Sequence, residues 1–177
     1  MSPHPSILFS AFQSPADPQR IAWLTFRDQS ALSSLVARGA SSDSVRHVAT
    51  LPGTSPSGIW RLLAPNNREL GRSSFLYSTF SAARSHVLQL RESPESLTVI
   101  TVKGPIAKSF GWIATLGNST VMTCSRWSTS AAAALAGAEA ARASLSIATV
   151  AELPLRTTSS GRRTSHTSAR PGSGPEW

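Results

Sequence analysis

The sequence predicts an α+β protein built from tandem βββα or ββα repeats, with an antiparallel sheet and one helix per repeat on one face of the sheet. Two observations support this fold class. Tryptophan recurs at Trp23, Trp60 and Trp112, each time near the start of an apolar segment. Each of these segments is followed by a polar turn, a second apolar segment and a stretch with helical spacing. Hairpins covered by helices form a common two-layer architecture.

The repeats divide the chain into six segments. We expect an N-terminal arm at 1–19, a degenerate first repeat at 20–52, a linker at 53–57, a second repeat at 58–103, a third repeat at 104–155 and a disordered basic tail at 156–177. The tail has almost no apolar residues and no periodicity, which is the composition of a disordered segment. In the arm, the apolar run 7–12 is too short for a signal peptide or a membrane span.

The degenerate first repeat is expected to begin with an apolar strand at Trp23. A turn is predicted at Arg27-Asp28-Gln29-Ser30, followed by a second strand. Ser42 is then positioned to cap a short helix, because serine side chains accept hydrogen bonds from helix N-terminal amides. Pro52-Gly53 ends this helix and opens the linker.

The second repeat is the clearest copy. A strand at 59–64 and a returning strand at 69–74 flank Pro65-Asn66-Asn67-Arg68. Because Asn tolerates positive φ and bonds its own backbone, these residues predict a hairpin turn. Ser78-Thr79 offers an N-cap for a helix that ends before Pro94. The buried face of this helix is predicted from apolar spacing at Phe80, Ala83, Val87 and Leu90.

The third repeat follows an additional strand predicted at 96–102. Gly117-Asn118 supplies the hairpin turn, and Ser128-Thr129 is the predicted N-cap of an alanine-rich helix. The buried face of that helix is predicted to contain Leu135, Ala138 and Leu145, and a short strand is predicted at 146–151.

The second repeat also resembles the YegP-like family of small bacterial domains of unknown function. The residues that carry the resemblance are Leu62-Leu63, Asn66-Asn67, Leu70-Gly71-Arg72-Ser73, Tyr77, Ser78 and Ala82-Ala83. It extends over 58–91, in part over 110–142, and faintly over 21–51. The resemblance implies tandem βββα repeats that form antiparallel sheets, often in two copies. It implies no catalytic residues.

The composition limits the function classes. The net charge is +8, and 15 of the 17 basic residues are arginine, since only Lys103 and Lys108 are lysine. Arginine binds phosphate with better geometry than lysine does, because its guanidinium group presents several N–H donors in one plane. A GC-rich genome explains the arginine content equally well. Cys124 is the only cysteine, which excludes an intramolecular disulfide and a Cys-rich metal site. We expect a cytoplasmic protein without a membrane partner.

No residue pattern predicts a catalytic, cofactor or metal site. His47 and His86 align between repeats, but neither has a ligand at metal-site spacing, so surface or packed histidines are favoured. The pair Glu92 and Glu95 flanks a proline and is interpreted as loop polarity rather than a hydrolytic pair. Cys124 is expected to be packed rather than reactive.

The repeated tryptophans have two interpretations. They could form a stacking platform for single-stranded nucleic acid. Alternatively they could pack beneath the helices, which is favoured because large aromatic side chains dominate protein cores. Buried tryptophans with dispersed arginines would support a protein-interaction module, whereas an arginine-lined face with exposed tryptophan would support nucleic-acid binding.

The leading functional hypothesis is a non-enzymatic interaction module that contacts an unknown protein partner or a second copy of itself. The alternative is low-specificity nucleic-acid binding, because arginine stripes follow phosphates. The candidate contacts for that alternative are Arg61, Arg68, Arg72, Arg84, Arg91, Arg162 and Arg163. Arg61, Arg68 and Arg72 are expected to line one sheet face, and Arg84 and Arg91 to share a helix face.

Overall fold

The fold is given by a computed structural model that describes residues 4–37 and 57–155. Over these residues three α-helices pack on one mixed sheet of seven strands. The strands are β1 (Ser6–Phe12), β2 (Ser57–Leu63), β3 (Glu69–Ser73), β4 (Thr98–Lys103), β5 (Phe110–Leu116), β6 (Ser119–Thr123) and β7 (Thr149–Val150). The helices are α1 (Pro18–Ala37), α2 (Phe80–Glu92) and α3 (Ala131–Ile147), with a 3₁₀ turn at Pro94–Ser96. The α+β class is therefore confirmed.

The strand order across the sheet is β4-β5-β6-β3-β2-β1-β7. Three strands followed by a helix occur twice: β1, β2 and β3 precede α2, and β4, β5 and β6 precede α3. The two sets of strands meet where β3 pairs with β6 through Arg72 and Ser73. Because β4 pairs with β5, the boundary predicted after residue 103 falls inside a hairpin.

One face of the sheet carries α2 and α3 over the main hydrophobic core. Alternate strand side chains enter this core, as pleated geometry requires. Both helices contribute their buried faces, and neighbouring strands contribute Phe9, Trp60, Leu62, Trp112 and Met122. Burial of large aromatic side chains is the main source of stability for such a layer.

The other face of the sheet is contacted by α1. Trp23 of this helix forms a second buried cluster with Phe12 and Ile59. Ile59 precedes Trp60 in β2, and neighbouring strand residues point to opposite faces. The prediction of helices on one face only is therefore wrong, because α1 covers the face that α2 and α3 leave open.

The first repeat is also wrong in its predicted strand at Trp23, in its turn at Arg27-Asp28-Gln29-Ser30 and in the second strand after that turn, since all of these lie inside α1. The cause is an N-terminal signal that the repeat alignment ignored. Asp17 caps the helix: its carboxylate accepts a hydrogen bond from the Gln19 amide at 2.9 Å, and its carbonyl accepts one from Ile21 at 3.0 Å. Pro18 is the first helical residue, a position that suits its fixed φ. The predicted helix capped by Ser42 lies outside the described residues.

The expected N-terminal arm contributes a sheet strand. Strand β1 pairs antiparallel with β2 along its whole length, from Ser6 opposite Leu63 to Phe12 opposite Ser57. Ile7 and Phe9 enter the main core while Phe12 enters the second cluster, an alternation typical of a strand buried on both faces. The sheet is mixed rather than antiparallel because β7 pairs parallel to β1.

The hairpin turns predicted in the second and third repeats are confirmed. Asn67 has φ of 61° and the Asn66 side chain accepts a hydrogen bond from the Arg68 amide at 3.1 Å. The Ala64 amide donates to the Arg68 carbonyl at 2.8 Å and closes the loop. Gly117 has φ of 57° in the β5–β6 turn, a conformation that glycine adopts without steric cost.

The helix after the first hairpin matches its prediction. The Thr79 hydroxyl caps α2 by accepting a hydrogen bond from the Ala82 amide at 3.1 Å. The buried residues of α2 are the four that the spacing predicted: Phe80, Ala83, Val87 and Leu90. The additional strand predicted at 96–102 is β4.

The helix after the second hairpin needs two corrections. Its N-cap is Ser130, whose hydroxyl accepts a hydrogen bond from the Ala133 amide at 3.1 Å, rather than Ser128-Thr129. Its buried residues are Ala134, Ala138, Ala141 and Leu145. Leu135, predicted to be buried, is 47% exposed because it is one residue beyond Ala134 and so turns about 100° away. The strand predicted at 146–151 is reduced to β7.

Three predicted segments lie outside the described residues. They are the C-terminal part of the first repeat and the linker, within 38–56, and the tail at 156–177. Among the helices described, none combines the length and apolarity needed to cross a bilayer.

Candidate binding groove

A groove of about 360 Å³ lies between α3 and the ends of the two central strands. Its floor includes the indole of Trp112 from β5. One wall comes from the start of β3 and the segment after β6, and the other from the outward face of α3. The lining residues are Arg68, Glu69, Leu70, Trp112, Cys124, Ser125, Arg126, Ser128, Ala133, Ala136, Gly137 and Ala140. This volume lies in the range of small-molecule sites.

The Trp112 side chain is the polar feature on the groove floor. Its ring is only 3% exposed and packs in the main core. A Cβ placed on Gly137, another lining residue, would lie 3.5 Å from Trp112 Nε1. The indole N–H has no acceptor among the residues that the structure describes. Because the indole nitrogen is a donor only, the groove presents a fixed hydrogen-bond donor that a ligand could satisfy.

Two exposed arginines lie at the rim of the groove. Arg68 ends the first hairpin turn, and Arg126 follows β6. The lining also includes Glu69, but its carboxylate is engaged by Arg72 at 2.6 Å and lies 3.7 Å from Arg61. The positive charge of the rim is therefore not cancelled by the acidic residue beside it, and the groove favours an anionic group.

Small residues form the helical wall. Ala133, Ala136, Gly137 and Ala140 face the groove from α3. The opposite wall is held in place by Ser125, whose hydroxyl donates to the Glu69 carbonyl at 3.2 Å. The groove is consequently shaped by backbone and short side chains, which change conformation little on binding.

Cys124 is the only thiol in the groove lining. Its sulfur accepts a hydrogen bond from the Trp112 backbone amide at 3.3 Å. Burial raises the pKa of the Cys124 thiol, although hydrogen bonds from neighbouring backbone and from Thr123 oppose the change. The thiol therefore stays protonated at neutral pH and does not provide the thiolate that nucleophilic catalysis requires.

The first half of the sheet has a filled counterpart of this groove, around Trp60. Gly58 forms an isolated β-bridge with Tyr77, and Phe110 forms the equivalent bridge with Ser128. Trp60 lies two residues after Gly58, and Trp112 lies two residues after Phe110. At the site in the first half, Trp60 Nε1 donates a hydrogen bond to the Tyr77 hydroxyl at 3.1 Å. That hydroxyl lies 2.5 Å from Nδ1 of His86.

The Tyr77 hydroxyl accepts from Trp60, and the direction of its hydrogen bond with His86 depends on the tautomer of the imidazole. Burial raises the pKa of Tyr77, an effect that the hydrogen bond from Trp60 partly opposes. Burial also lowers the pKa of His86. Both directions favour a neutral phenol and a neutral imidazole, so Trp60, Tyr77 and His86 form an uncharged chain of hydrogen bonds.

The arginines proposed for nucleic acid do not form one surface. Arg61 and Arg72 oppose each other in β2 and β3 and both approach Glu69. They line a second cavity of about 410 Å³ with Trp23 of α1, so they lie on the opposite face from α2 and α3.

The remaining candidates are dispersed. Arg68 lies at the rim of the groove, while Arg84 and Arg91 lie on α2. Arg91 donates to the carbonyls of Leu145 and Ser146 at 3.2 Å each, at the end of α3, which assigns it a structural contact. Arg162 and Arg163 lie outside the described residues.

The structure bears on two choices left open by the sequence: whether the tryptophans are packed or exposed, and whether the histidines are metal ligands. Trp23, Trp60 and Trp112 are buried, so the packed interpretation holds for all three and they provide no exposed stacking platform. In the described part of the chain, no three His, Cys, Asp or Glu side chains are grouped closely enough to hold a metal. His47 lies outside that part.

Sequence reasoning missed the groove because its key residues have no motif. Arg126 follows a strand and Gly137 interrupts an alanine-rich helix, and neither residue belongs to a recognised motif. The correspondence of Gly137 with His86 and of Ser128 with Tyr77 comes from the fold, because matching the Ser-Thr pairs at 78–79 and 128–129 aligns Tyr77 with Trp127 instead.

Comparison with models of protein families, with curated proteins and with solved structures finds no match to this chain. The resemblance to the YegP-like family therefore stays a prediction from the quoted residues.

Proposed function

We propose that this protein is a non-enzymatic, cytoplasmic binding module and that its recognition site is the groove over Trp112. The observation that carries the proposal is the indole N–H of Trp112, a donor without an acceptor among the described residues, which lies beside a groove with Arg68 and Arg126 at its rim. Because the indole nitrogen is a donor only, this groove favours a ligand that supplies an acceptor.

The repeat architecture is part of this proposal. Each half of the sheet contributes three strands and one helix, which is the βββα unit that the YegP-like resemblance implies. We therefore treat the halves as two copies of one unit, with α1 as an insertion between the first two strands of the first copy. Buried residues Ala83, Val87 and Leu90 of α2 match Ala134, Ala138 and Ala141 of α3 at one constant offset along the chain.

The groove chemistry supports binding rather than catalysis. Its titratable residues are two arginines, an ion-paired glutamate and a buried thiol. General acid–base catalysis needs a group whose pKa lies near the working pH and which can reach the substrate. Burial raises the pKa of Cys124 and so moves it away from that role.

The test is a titration followed by NMR. The chain contains five tryptophans, and the indole resonance of Trp112 can be assigned by its loss in a Trp112→Phe variant. We expect 3-phenylpropionate and benzoate to shift this resonance, and phenethylamine, their cationic counterpart, to leave it unchanged.

Two variants and a matched control locate the charge effect. Arg68→Ala and Arg126→Ala are expected to weaken the binding of the acids, each by about threefold to tenfold, because each removes a charge-assisted contact. Arg84→Ala removes an arginine from α2, outside the groove, and is expected to have no effect. Acids that leave the Trp112 resonance unmoved at millimolar concentration would refute the proposal.

Low-specificity nucleic-acid binding remains the second candidate, favoured by the net charge of +8 and by the exposure of Arg68 and Arg126 on one rim. The pairing of Arg61 and Arg72 with Glu69 reduces the charge available for phosphates. Titration with labelled single-stranded DNA, duplex DNA and RNA at low and moderate salt separates the candidates. Binding that weakens steeply with salt supports nucleic acid, and flat curves at low salt exclude it.

A further inference from the structure

The two tryptophan sites differ by two side chains. Tyr77 in the first half corresponds to Ser128 in the second, because each forms the bridge that follows a central strand and precedes a helix. His86 corresponds to Gly137, because each directly precedes a buried residue of its helix, Val87 in α2 and Ala138 in α3.

The space left by these two side chains is part of the groove. Ser128 and Gly137 both line it. The Cβ position of Gly137 lies 3.5 Å from Trp112 Nε1, so a side chain there would cover the indole N–H. In the first half, the Tyr77 hydroxyl satisfies the corresponding N–H of Trp60 at 3.1 Å.

The filled site therefore indicates which chemical group suits the open one. Tyr77 supplies a flat ring that packs in the core and an oxygen that accepts from the indole. In the open site, Trp112 offers the same donor, Leu70 and the alanines of α3 offer apolar contact, and Arg126 offers a positive charge at the rim.

We propose that the groove binds a 4-hydroxyphenyl group that carries a carboxylate nearby. The phenol oxygen accepts the hydrogen bond of Trp112 Nε1, the ring fills the space left by Ser128 and Gly137, and the carboxylate pairs with Arg68 and Arg126. This inference rests on the proposed function and names the ligand class of the same groove. A free hydroxyphenyl acid and a tyrosine beside acidic residues in a peptide share this chemistry.

The first test compares matched probes on the full chain. The probes are 3-(4-hydroxyphenyl)propionate, 3-phenylpropionate and tyramine, followed through the Trp112 indole resonance. We expect the hydroxyphenyl acid to bind about fivefold tighter than the phenyl acid, the factor of one neutral hydrogen bond. Tyramine has the phenol but the opposite charge, and it is expected to bind weakest.

The second test fills the groove from within. Gly137→His places a side chain over the indole N–H, and Ser128→Tyr combined with it copies the first half. Both variants are expected to abolish binding of the hydroxyphenyl acid. Ala143→His, on an exposed part of α3 outside the groove, is expected to bind normally. An unchanged Trp60 resonance shows that each variant has folded.

The source of the group is tested with peptides. A Glu-Tyr-Glu peptide and its Glu-Phe-Glu counterpart replace the small acids in the same titration. Tighter binding of the tyrosine peptide than of the free acid assigns the ligand to a protein segment, and the reverse order assigns it to a small molecule.

The outcomes separate this inference from the proposed function. Equal affinity for the phenyl and hydroxyphenyl acids, with dependence on Arg68 and Arg126 retained, overturns the phenol assignment and leaves the binding groove standing. Undiminished binding to the Gly137→His variant also overturns it. Failure of every acid to shift the Trp112 resonance overturns both proposals.

Discussion

Trp60 and Trp112 occupy corresponding places in the two halves of the sheet, yet their surroundings differ. Trp60 donates to a tyrosine that in turn contacts His86. Trp112 has a serine and a glycine at the matching positions and opens on a groove. Under the proposed function, the closed surroundings of Trp60 serve stability, and the open surroundings of Trp112 serve binding.

Helices α2 and α3 also differ in the size of their buried side chains. The buried residues of α2 include Phe80, Val87 and Leu90, whereas those at matching places in α3 are alanines. Large side chains fill the space between α2 and the sheet. On α3 the groove wall is formed by other small residues of the helix, Ala133, Ala136, Gly137 and Ala140.

The largest expected change in stability is in the first half of the sheet, where Tyr77 and His86 close the site around Trp60. Leu90→Ala should lower the free energy of unfolding by about 2–5 kcal/mol, because the leucine is fully buried and its loss leaves a cavity. Urea denaturation measures the change. The control is Leu135→Ala, on the exposed side of α3, which should change stability by less than about 0.5 kcal/mol. Similar losses in both variants would contradict the burial assigned to α2 and α3.

The two tryptophans provide the next comparison. Trp60→Phe and Trp112→Phe remove the same atoms, but only the first breaks a hydrogen bond within the described structure. Trp60→Phe should therefore be the more destabilising by about 1 kcal/mol. The denaturation midpoints of the two variants give the difference directly. A larger loss for Trp112→Phe would show that its indole N–H has a partner in the folded chain.

Two glycines test the packing around Trp112. Gly137→Ala should raise the free energy of unfolding by about 0.5–1 kcal/mol, since alanine favours a helix and its Cβ has room at 3.5 Å from the indole nitrogen. Gly71→Ala should lower it, because the new Cβ would lie 2.9 Å from Trp112 Cη2 and 3.2 Å from the Thr123 carbonyl oxygen. Thermal unfolding of both variants checks the opposite signs.

The smallest expected effect is the pH dependence of stability that arises from His86, beside Tyr77 in the first half of the sheet. Because burial lowers the pKa of folded His86 below its ordinary value of 6.5, the unfolded chain takes up a proton that the folded chain resists as pH falls below this value. Acid therefore destabilises the fold through this residue. The loss of stability begins near the unfolded pKa and is complete once the pH is below the folded pKa.

The check compares the wild type with His86→Gln at about pH 7.5 and about pH 5.5, since other titrating groups are shared by both chains. On acidification, the wild type should lose more stability than the variant. Parallel losses in the two proteins would show that His86 does not titrate differently in the folded state.

Local signals predicted the parts of the fold that local chemistry determines. The Asn66-Asn67 turn, the Thr79 cap and the buried face of α2 follow from neighbouring residues alone. The repeat alignment failed at Trp23, because matching one tryptophan outweighed the helix start at Asp17-Pro18.

The groove could not be predicted in the same way. It depends on β3 and β6 meeting at the centre of the sheet, a long-range pairing that no local pattern encodes. Only the fold places Gly137 at the position that corresponds to His86, and only the fold shows that the missing side chain leaves space beside the Trp112 indole.

Hydrogen exchange of the tryptophan indole N–H groups shows whether the second half of the sheet is open at Trp112. We expect slow exchange for Trp60, whose N–H is buried and bonded to Tyr77, and fast exchange for Trp112, whose N–H opens on the groove. The two resonances can be followed together in one wild-type sample transferred to heavy water. Equally slow exchange at Trp112 would contradict the account, because it would mean that the second half is as closed as the first.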